Sequence, residues 1–252
     1  MIATASAACT EFGGLSHVRG RLGGRRVGVL AVSVLALASV IAGCGGSSGN
    51  GVAAKSPDAI LAAATNAVSD VKSVHIAGSV VSGGTPLTFD LNLAGGRGGS
   101  GQIALNGLRA QLIVINNTVY MNASDGFWRH FANPAAAQLF HGRWLKAPAT
   151  GQFAGVAQLA DVQRIFSGFR NGHGKLAKGS TSTVDGTKVI AVNDTTQGGT
   201  LYVATTGKPY PIEVSKTGTG GGRVVFDRYD QPVSLTPPAS SIDLTRLPGY
   251  QP

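Results

Sequence analysis

From residue 74 to residue 123 the chain alternates apolar and polar side chains, and short turns interrupt the alternation. The segment 87–93 is the clearest example, because every second residue in it is apolar (LTFDLNL). Successive side chains of a strand point to opposite faces of a sheet, so this pattern predicts strands that are buried on one face. Asn106-Gly107 and Asn116-Asn117 separate the runs and are hairpin-type turns. Strands that are joined so closely pair antiparallel.

The same alternation returns after Asn171-Gly172. Turn residues such as Asp185-Gly186 again separate the runs, and the 37 glycines and 11 prolines of the chain suit a fold with many turns. The two regions and a short segment between them predict about eleven strands. These are residues 74–80, 87–93, 100–106, 108–115, 117–123, 143–147, 175–184, 187–194, 199–205, 210–216 and 222–229.

Three segments break the alternation and predict helices. Ser56-Pro57-Asp58 combines an N-cap, a proline at the first helical position and an acid in the first turn. An apolar stripe at helical spacing follows it through about residue 72, formed by Ile60, Leu61, Ala64, Val68 and Val71. Residues 134–140 and 151–166 predict the other helices. The expected fold class is α+β: one large curved antiparallel sheet with helices packed on its concave face.

Residues 1–43 predict a lipoprotein signal peptide. Residues 19–26 are basic and residues 27–43 are apolar and uncharged, a succession typical of an export signal. The apolar run is short for a membrane-spanning helix, and no basic stop-transfer cluster follows it. Ile41-Ala42-Gly43-Cys44 resembles a bacterial lipobox, in which the cysteine thiol accepts a diacylglyceryl group. An ordinary secretory signal is the alternative, and twin-arginine export through Arg25-Arg26 is an alternative to general secretion.

The lipobox divides the rest of the chain into two parts. Residues 44–55 would be the lipidated Cys44 and a flexible Gly/Ser tether. Residues 56–252 would be a single domain held at the outer face of the cell membrane. The membrane is thus an expected partner, reached through the acyl chains on Cys44.

Composition and motifs argue against several other classes of protein. Cys9 and Cys44 are the only cysteines, which excludes a disulfide framework and a cysteine-based zinc site. The formal net charge is +9, but the basic residues are scattered singly and are not interleaved with aromatic residues, so nucleic acid is not an expected partner. A G-x-G-x-x-G match at 96–101 precedes a predicted strand, and the dinucleotide fingerprint needs a helix there.

The histidines and carboxylates do not form a recognisable catalytic set. No two of the histidines downstream of Cys44 (His75, His130, His141 and His173) have the spacing of metal ligands. Glu213 is the only glutamate after Cys44, and the aspartates are dispersed, so no carboxylate pair stands out. We therefore expect no metal, no cofactor, no catalytic residue and no enzyme activity. His75 is interpreted as a packed or solvent-facing strand residue.

The apolar alternation exceeds what the helices can cover. The helical segments are short and rich in alanine, especially residues 134–140. A broad curved sheet covered by small side chains leaves volume that an apolar ligand can fill. The sequence thus predicts a cavity lined by Phe89, Leu91, Leu112, Val114 and Leu201. The lining passes to the neighbouring residues if a strand is shifted by one position, because such a shift reverses its faces.

Several short segments together resemble one family of proteins. They are Ile41-Ala42-Gly43-Cys44; Val71-Lys72-Ser73-Val74-His75-Ile76-Ala77-Gly78; Thr118-Val119-Tyr120 with Phe127-Trp128; Gly142-Arg143-Trp144-Leu145-Lys146; Pro211-Ile212-Glu213; and Phe226-Asp227-Arg228-Tyr229-Asp230-Gln231-Pro232-Val233. In order and spacing they resemble the LppX/LprA/LprF/LprG family of actinobacterial (mycobacterial-type) cell-wall lipoproteins, whose fold is similar to that of LolA and LolB. The resemblance implies a half-open antiparallel barrel with helices over its mouth and a large apolar cavity. It also implies binding of acylated lipids or lipoglycans and their movement toward the outer envelope.

Two classes of function follow from the sequence. In the first, the protein is a membrane-anchored lipoprotein that binds a lipid or glycolipid with long acyl chains and carries or presents it in the cell envelope. An envelope transporter is then a candidate partner. In the second, the protein is an anchored adaptor with a fully packed core and no ligand.

Overall fold

A computed structural model describes residues 49–218, 220–248 and 250 of the protein. These residues form one sheet of twelve strands, together with five α-helices. The helices are α1 (Pro57–Ala67), α2 (Asp125–Phe131), α3 (Pro134–Phe140), α4 (Ala154–Gln158) and α5 (Val162–Asn171). The strands are β1 (Ser73–Ser82), β2 (Thr85–Ala94), β3 (Gly98–Leu105), β4 (Leu108–Ile115), β5 (Thr118–Ala123), β6 (Leu145–Pro148), β7 (Leu176–Val184), β8 (Thr187–Asp194), β9 (Thr200–Ala204), β10 (Pro211–Lys216), β11 (Gly222–Asp227) and β12 (Ile242–Asp243).

The sheet is open and mostly antiparallel. Its strand order is β12-β6-β5-β4-β3-β2-β1-β11-β10-β9-β8-β7. β1 lies near the middle because it pairs with β2 on one side and with β11 on the other. Among the described strands only β12 and β6 form a parallel pair. This architecture confirms the predicted α+β fold with a large curved antiparallel sheet.

Tight turns connect most neighbouring strands, as the sequence predicts. Asn106 and Gly107 have φ angles of 48° and 79°, and Asp185 and Gly186 have φ angles of 45° and 81°. Two successive positive φ angles are the signature of a type I′ turn, whose twist matches that of the flanking strands. The turn between β1 and β2 is also tight, because β2 begins at Thr85, two residues before the predicted strand.

Glycines inside two strands let the sheet bend. A Cβ atom at Gly78 of β1 would lie 2.1 Å from the carbonyl oxygen of Arg223, and one at Gly101 of β3 would lie 2.0 Å from that of Asp90. No side chain fits at such distances, so the neighbouring strand can approach only because both residues are glycines. Glycines of this kind mark sharp bends in curved sheets.

Helix α1 forms as its sequence predicts. The Ser56 side chain accepts a hydrogen bond from the Ala59 N–H, which is the N-cap arrangement, and Pro57 is the first helical residue. The predicted stripe is buried in full, although the helix ends at Ala67 and not at about residue 72. The part of the stripe that lies in α1 packs on the apolar residues of β8 and β9, namely Ile190, Val192, Leu201 and Val203, whereas Val68 and Val71 belong to the main apolar cluster.

The central helical region differs from the prediction in two respects. The helix predicted over 151–166 is broken, because α4 ends at Gln158 and α5 begins at Val162. Asp161 stands at the break and caps α5 by accepting a hydrogen bond from the Arg164 N–H. Helix α2 was not predicted. Its seven residues are too few to show a helical period.

Part of the C-terminal tail forms secondary structure that the sequence did not predict. Ile242 and Asp243 pair with β6 as the twelfth strand, and residues 244–246 form a 3-10 turn. At the G-x-G-x-x-G match, β3 begins at Gly98, two residues before the predicted strand and inside the match. The match thus leads into a strand and not into a helix, as predicted. In the described residues no helix has both the length and the hydropathy needed to cross a membrane.

Candidate functional site

The concave face of the sheet carries the main apolar cluster, and two cavities lie within it. The larger, here called the helix-pair cavity, has a volume of about 360 Å³. It lies between β3, β5 and β6 on the sheet side and α2, α3 and α4 on the other. Its lining includes Ile103, Met121, Phe127, Trp128, Phe131, Phe140, Leu145, Phe153 and Val156.

The second cavity, here called the central cavity, has a volume of about 190 Å³. It lies over β1, β2, β10 and β11 and under α5. Every residue that lines it is apolar: Ile76, Phe89, Leu91, Leu159, Ile165, Phe169, Val214, Val224 and Phe226. In the part of the chain that the structure describes, no charged side chain lines either of these two cavities.

One layer of side chains separates the two cavities. On the sheet, Phe89 of the central cavity is directly paired with Ile103 of the helix-pair cavity. On the helical side, Val156 lines the helix-pair cavity and Leu159, one helical turn later, lines the central cavity. Helix α4 carries no buried residue. The partition between the cavities is therefore formed in part by a helix whose apolar residues, such as Val156, are only partly buried against the main cluster.

The five residues predicted to line a cavity lie in three places. Phe89 and Leu91 come together in the central cavity. Leu112 and Val114 are buried in the main apolar cluster and belong to neither cavity. Leu201 lies on the other side of the sheet centre, where it lines a third cavity of about 160 Å³ beside α1 and α5.

The sequence reasoning missed the aromatic wall of the helix-pair cavity. The ring centroids of Trp128 and Phe140 are 5.0 Å apart, and those of Phe127 and Phe131 are 4.7 Å apart. The Ser124 side chain caps α2 by accepting a hydrogen bond from the Phe127 N–H, and Asn133 caps α3 in the same way. Three aromatic residues within 127–131, in a chain with only 6% aromatic residues, are the signal that could have marked this wall.

Trp128 has an unusual polar group. Its indole Nε1 is buried and has no hydrogen-bond partner among the described residues. A buried N–H without a partner costs about 1–3 kcal/mol, so it is an unfavourable feature of an otherwise apolar wall. Tryptophan at this position supplies a large apolar surface at the expense of an unmet hydrogen bond.

His75 lies on the opposite face of the sheet from the cavities. Its Nδ1 is 2.5 Å from Asp227 Oδ1 and its Nε2 is 3.0 Å from Asp90 Oδ1. Ile76, the next residue, lines the central cavity, so His75 points to the convex face. His75 thus links β1 to both neighbouring strands. It is a packed strand residue, as the sequence suggested.

The described residues that precede α1 are bound to the domain. The Asn50 N–H donates to the Thr205 carbonyl (2.8 Å), and its side-chain amide donates to the carbonyls of Ala204 and Gly207 (3.0 Å each). Val52 is buried with the α1 cluster. Residues 50–52, which the sequence assigned to the tether, therefore lie against the turn between β9 and β10. Cys44 lies outside the described residues.

The chain after β11 is fastened to the start of β1. The Lys72 N–H and the Tyr210 hydroxyl each donate a hydrogen bond of 2.9 Å to the Asp230 carboxylate. The hydrogen bond from Lys72 lowers the pKa of Asp230, and the contacts with Tyr210 and Lys208 act in the same direction. Tyr210 also stacks on Tyr229 with a centroid distance of 4.0 Å.

A solved structure is similar enough to this chain to show its fold. LprF from Mycobacterium bovis superposes on this chain with a TM-score of 0.54, at 14% identity, over 73% of this chain and 97% of LprF. The Mycobacterium tuberculosis lipoprotein LppX gives a TM-score of 0.46 at 14% identity, over 71% of this chain and 98% of LppX. No protein-family model matches the chain. No curated protein is significantly similar to it in sequence.

The comparison with LprF defines the fold class. The chain has the fold of the LppX/LprF lipoproteins, as the resemblance of its sequence segments predicted. What the cavities of this chain bind is a separate question, because 14% identity transfers the fold and not the ligand.

Proposed function

We propose that the protein is a membrane-anchored lipoprotein of the cell envelope that binds an acylated lipid or lipoglycan and carries or presents it. The observation that carries this proposal is the pair of uncharged apolar cavities on the concave face of a fold shared with LprF. A packed adaptor would have no use for such voids, since unfilled apolar volume lowers the stability of a core.

The energetics of the cavities favour acyl chains over polar ligands. Burial of a methylene group contributes about 0.8 kcal/mol, so about ten methylenes would contribute about 8 kcal/mol before the costs of ordering. A charged group would lose its hydration in these cavities, and no charged side chain lines either of them to pair with it. The helix-pair cavity, at about 360 Å³, lies at the small end of the range of ligand sites. Both cavities together would accommodate the chains, with the polar head group left outside.

A contact assay tests the proposal on the described site. The protein has two tryptophans, and only Trp128 lines the helix-pair cavity. Trp144, which precedes β6, serves as the matched control. A phospholipid with brominated acyl chains quenches a tryptophan that it touches. We expect strong quenching in the Trp144→Phe protein, which retains Trp128, and weak quenching in the Trp128→Phe protein.

The protein as purified, before brominated lipid is added, is extracted, and any lipid in the extract is identified by mass spectrometry. A co-purified acylated lipid supports the proposal and names the ligand. Equal quenching of both variants, together with an extract free of lipid, would contradict it and favour the packed adaptor.

The anchor is tested separately at Cys44. We propose that Cys44 carries the acyl chains that hold the protein on the extracytoplasmic face of the membrane. Two chains suffice for stable anchoring, whereas a single chain is marginal. Replacing Cys44 by Ala should move the protein from a salt-washed membrane pellet to the soluble fraction, with its melting temperature unchanged. The high-salt wash releases protein that is held mainly by surface charges. A Cys44→Ala protein that stays in the washed pellet after removal of its signal would argue against this anchor.

A further inference from the structure

Large apolar side chains are exposed at few places on the domain. Among the described residues three are exposed: Val81 at 38%, Phe131 at 46% and Leu139 at 41%. Two of these three lie on the hairpin formed by α2 and α3, here called the helical hairpin (residues 125–140). Exposed apolar residues that occur singly need no explanation, whereas the helical hairpin carries two of these three, one on each of its helices.

The helical hairpin presents these side chains on a firm support. Trp128 of α2 packs against Phe140 of α3 with a centroid distance of 5.0 Å. At its base the Asp125 carboxylate lies 2.9 Å from His141 Nδ1, which joins the start of α2 to the end of α3. Phe131 and Leu139 are therefore exposed on helices that are held in place, and not on loose loops.

Cationic side chains outnumber acidic ones on and beside the helical hairpin. Residues 125–143 contain two arginines, Arg129 and Arg143, and a single acid, Asp125. Arg129 is 3.6 Å from Asp125, and both arginines are exposed. Apolar side chains bordered by cations are the combination that binds at the surface of an anionic bilayer.

The exposed surface is continuous with the candidate site. Phe131 and Ala132, at the end of α2, also line the helix-pair cavity. A surface that rested on the helical hairpin would therefore touch the rim of that cavity. An acyl chain could pass from a bilayer to the cavity along the Phe131 side chain without crossing water.

We propose that the helical hairpin docks on an anionic lipid bilayer, with Phe131 and Leu139 in the interfacial layer and Arg129 and Arg143 at the lipid phosphates. This inference rests on the proposed lipid-binding function and adds the surface through which lipid enters or leaves. The hairpin brings the rim of the helix-pair cavity to the membrane, and the cations favour anionic lipid over neutral lipid.

The test measures binding to vesicles. It uses the Cys44→Ala protein, because acyl chains on Cys44 would bind vesicles by themselves. The vesicles contain phosphatidylcholine and phosphatidylglycerol in equal parts, or phosphatidylcholine alone. Replacing Phe131 and Leu139 by Ser should lower the partition coefficient at least about tenfold, because two partly exposed apolar side chains lose their burial in lipid.

The matched control is Val81→Ser. Val81 has a similar exposure but lies on β1, far from the helical hairpin. The hairpin follows β5, and β1 lies four strands away from β5 in the sheet. It should leave the partition coefficient within about twofold of the parent, as expected for an apolar residue outside the interface. A loss as large as that of the hairpin variant would overturn the proposal, since it would show non-specific adhesion.

A charge variant supplies a second line of evidence. Arg129→Gln and Arg143→Gln should each weaken binding to anionic vesicles about fivefold. Neither should change binding to vesicles of phosphatidylcholine alone. The single variant Leu139→Ser covers the case in which the double variant does not fold. Binding of all these variants at the level of the parent would overturn the proposal.

Lipid uptake is measured beside vesicle binding, so that two kinds of failure can be told apart. A parent protein that binds anionic vesicles but takes up no brominated lipid contradicts the proposed function and supports the docking surface. A parent protein that takes up lipid from detergent solution but does not bind vesicles supports the proposed function and overturns the docking surface.

Discussion

Two parts of the concave face are covered by helices in different ways. Under α1 the sheet is closely packed, because an eleven-residue helix buries Ile60, Leu61 and Ala64 against the aliphatic residues of β8 and β9. Under α2, α3 and α4 the cover consists of helices of seven, seven and five residues. These bury a few large aromatic side chains and leave the helix-pair cavity between them.

The difference shows what creates a cavity in this fold. The sheet offers apolar side chains to both parts, and the helix above decides whether they are covered. A regular helix with a continuous stripe fills the space row by row. The short helices α2, α3 and α4 touch the sheet at separate points, so voids remain between the points of contact. The helix-pair cavity is thus a property of its covering helices more than of the strands.

The largest expected effect comes from breaking the packed part. Ile60 of α1 is fully buried, so Ile60→Ala should lower the free energy of unfolding by about 2–5 kcal/mol. Chemical denaturation measures this loss. Brominated-lipid uptake by the folded fraction should stay at the level of the parent, because Ile60 lines neither the helix-pair cavity nor the central cavity. A variant of unchanged stability would show that α1 is not closely packed.

Two substitutions that enlarge a side chain, one under α1 and one beside the helix-pair cavity, sharpen the comparison. Ala64 of α1 is fully buried and lines none of the three cavities, so Ala64→Leu should cost about 1–3 kcal/mol. Val156→Trp adds volume beside the helix-pair cavity, where space exists, and should change stability by less than about 1 kcal/mol. The filled cavity should also take up severalfold less brominated lipid. Val156→Trp with full lipid uptake would indicate that the ligand does not use this cavity.

The same contrast explains how much of the fold could be predicted from the sequence. Strands such as β2 follow from their alternation, and α1 follows from its stripe and its cap, because these signals are local. Helix α2 has too few residues to show a period, and β12 exists only because distant residues meet β6. Local signals therefore give the sheet and the regular helix, but not the short covering elements.

The candidate site is less accessible to such reasoning. Alternation places Leu91 and Leu112 on the same face of the sheet, since both are paired with Gly101. Leu91 lines the central cavity, whereas Leu112 is buried in the cluster and lines neither of the two main cavities. Which of the two meets a void depends on where the helices lie, and that is set by tertiary packing. The alternation of side chains along a strand shows which face of the sheet points inward. It does not distinguish a residue that lines a cavity from one that is buried in a packed core.

The smallest expected effect concerns acid conditions and the junction between α1 and β1. The hydrogen bond from the Lys72 N–H holds the pKa of Asp230 below its ordinary value of 3.8. A lowered carboxylate pKa stabilises the folded state at pH values above the ordinary pKa. This contribution is lost as the pH falls below 3.8 and through the pKa of the folded state.

Asp230→Asn keeps an oxygen that can accept a hydrogen bond from the Lys72 N–H but carries no charge. Since Asp230 is exposed, the variant should cost less than about 1 kcal/mol at neutral pH. The difference in the free energy of unfolding between the parent and the variant should become smaller as the pH falls below 3.8. Denaturant titrations at several pH values would measure this difference. A gap that is independent of pH would mean that the charge of Asp230 does not stabilise this junction.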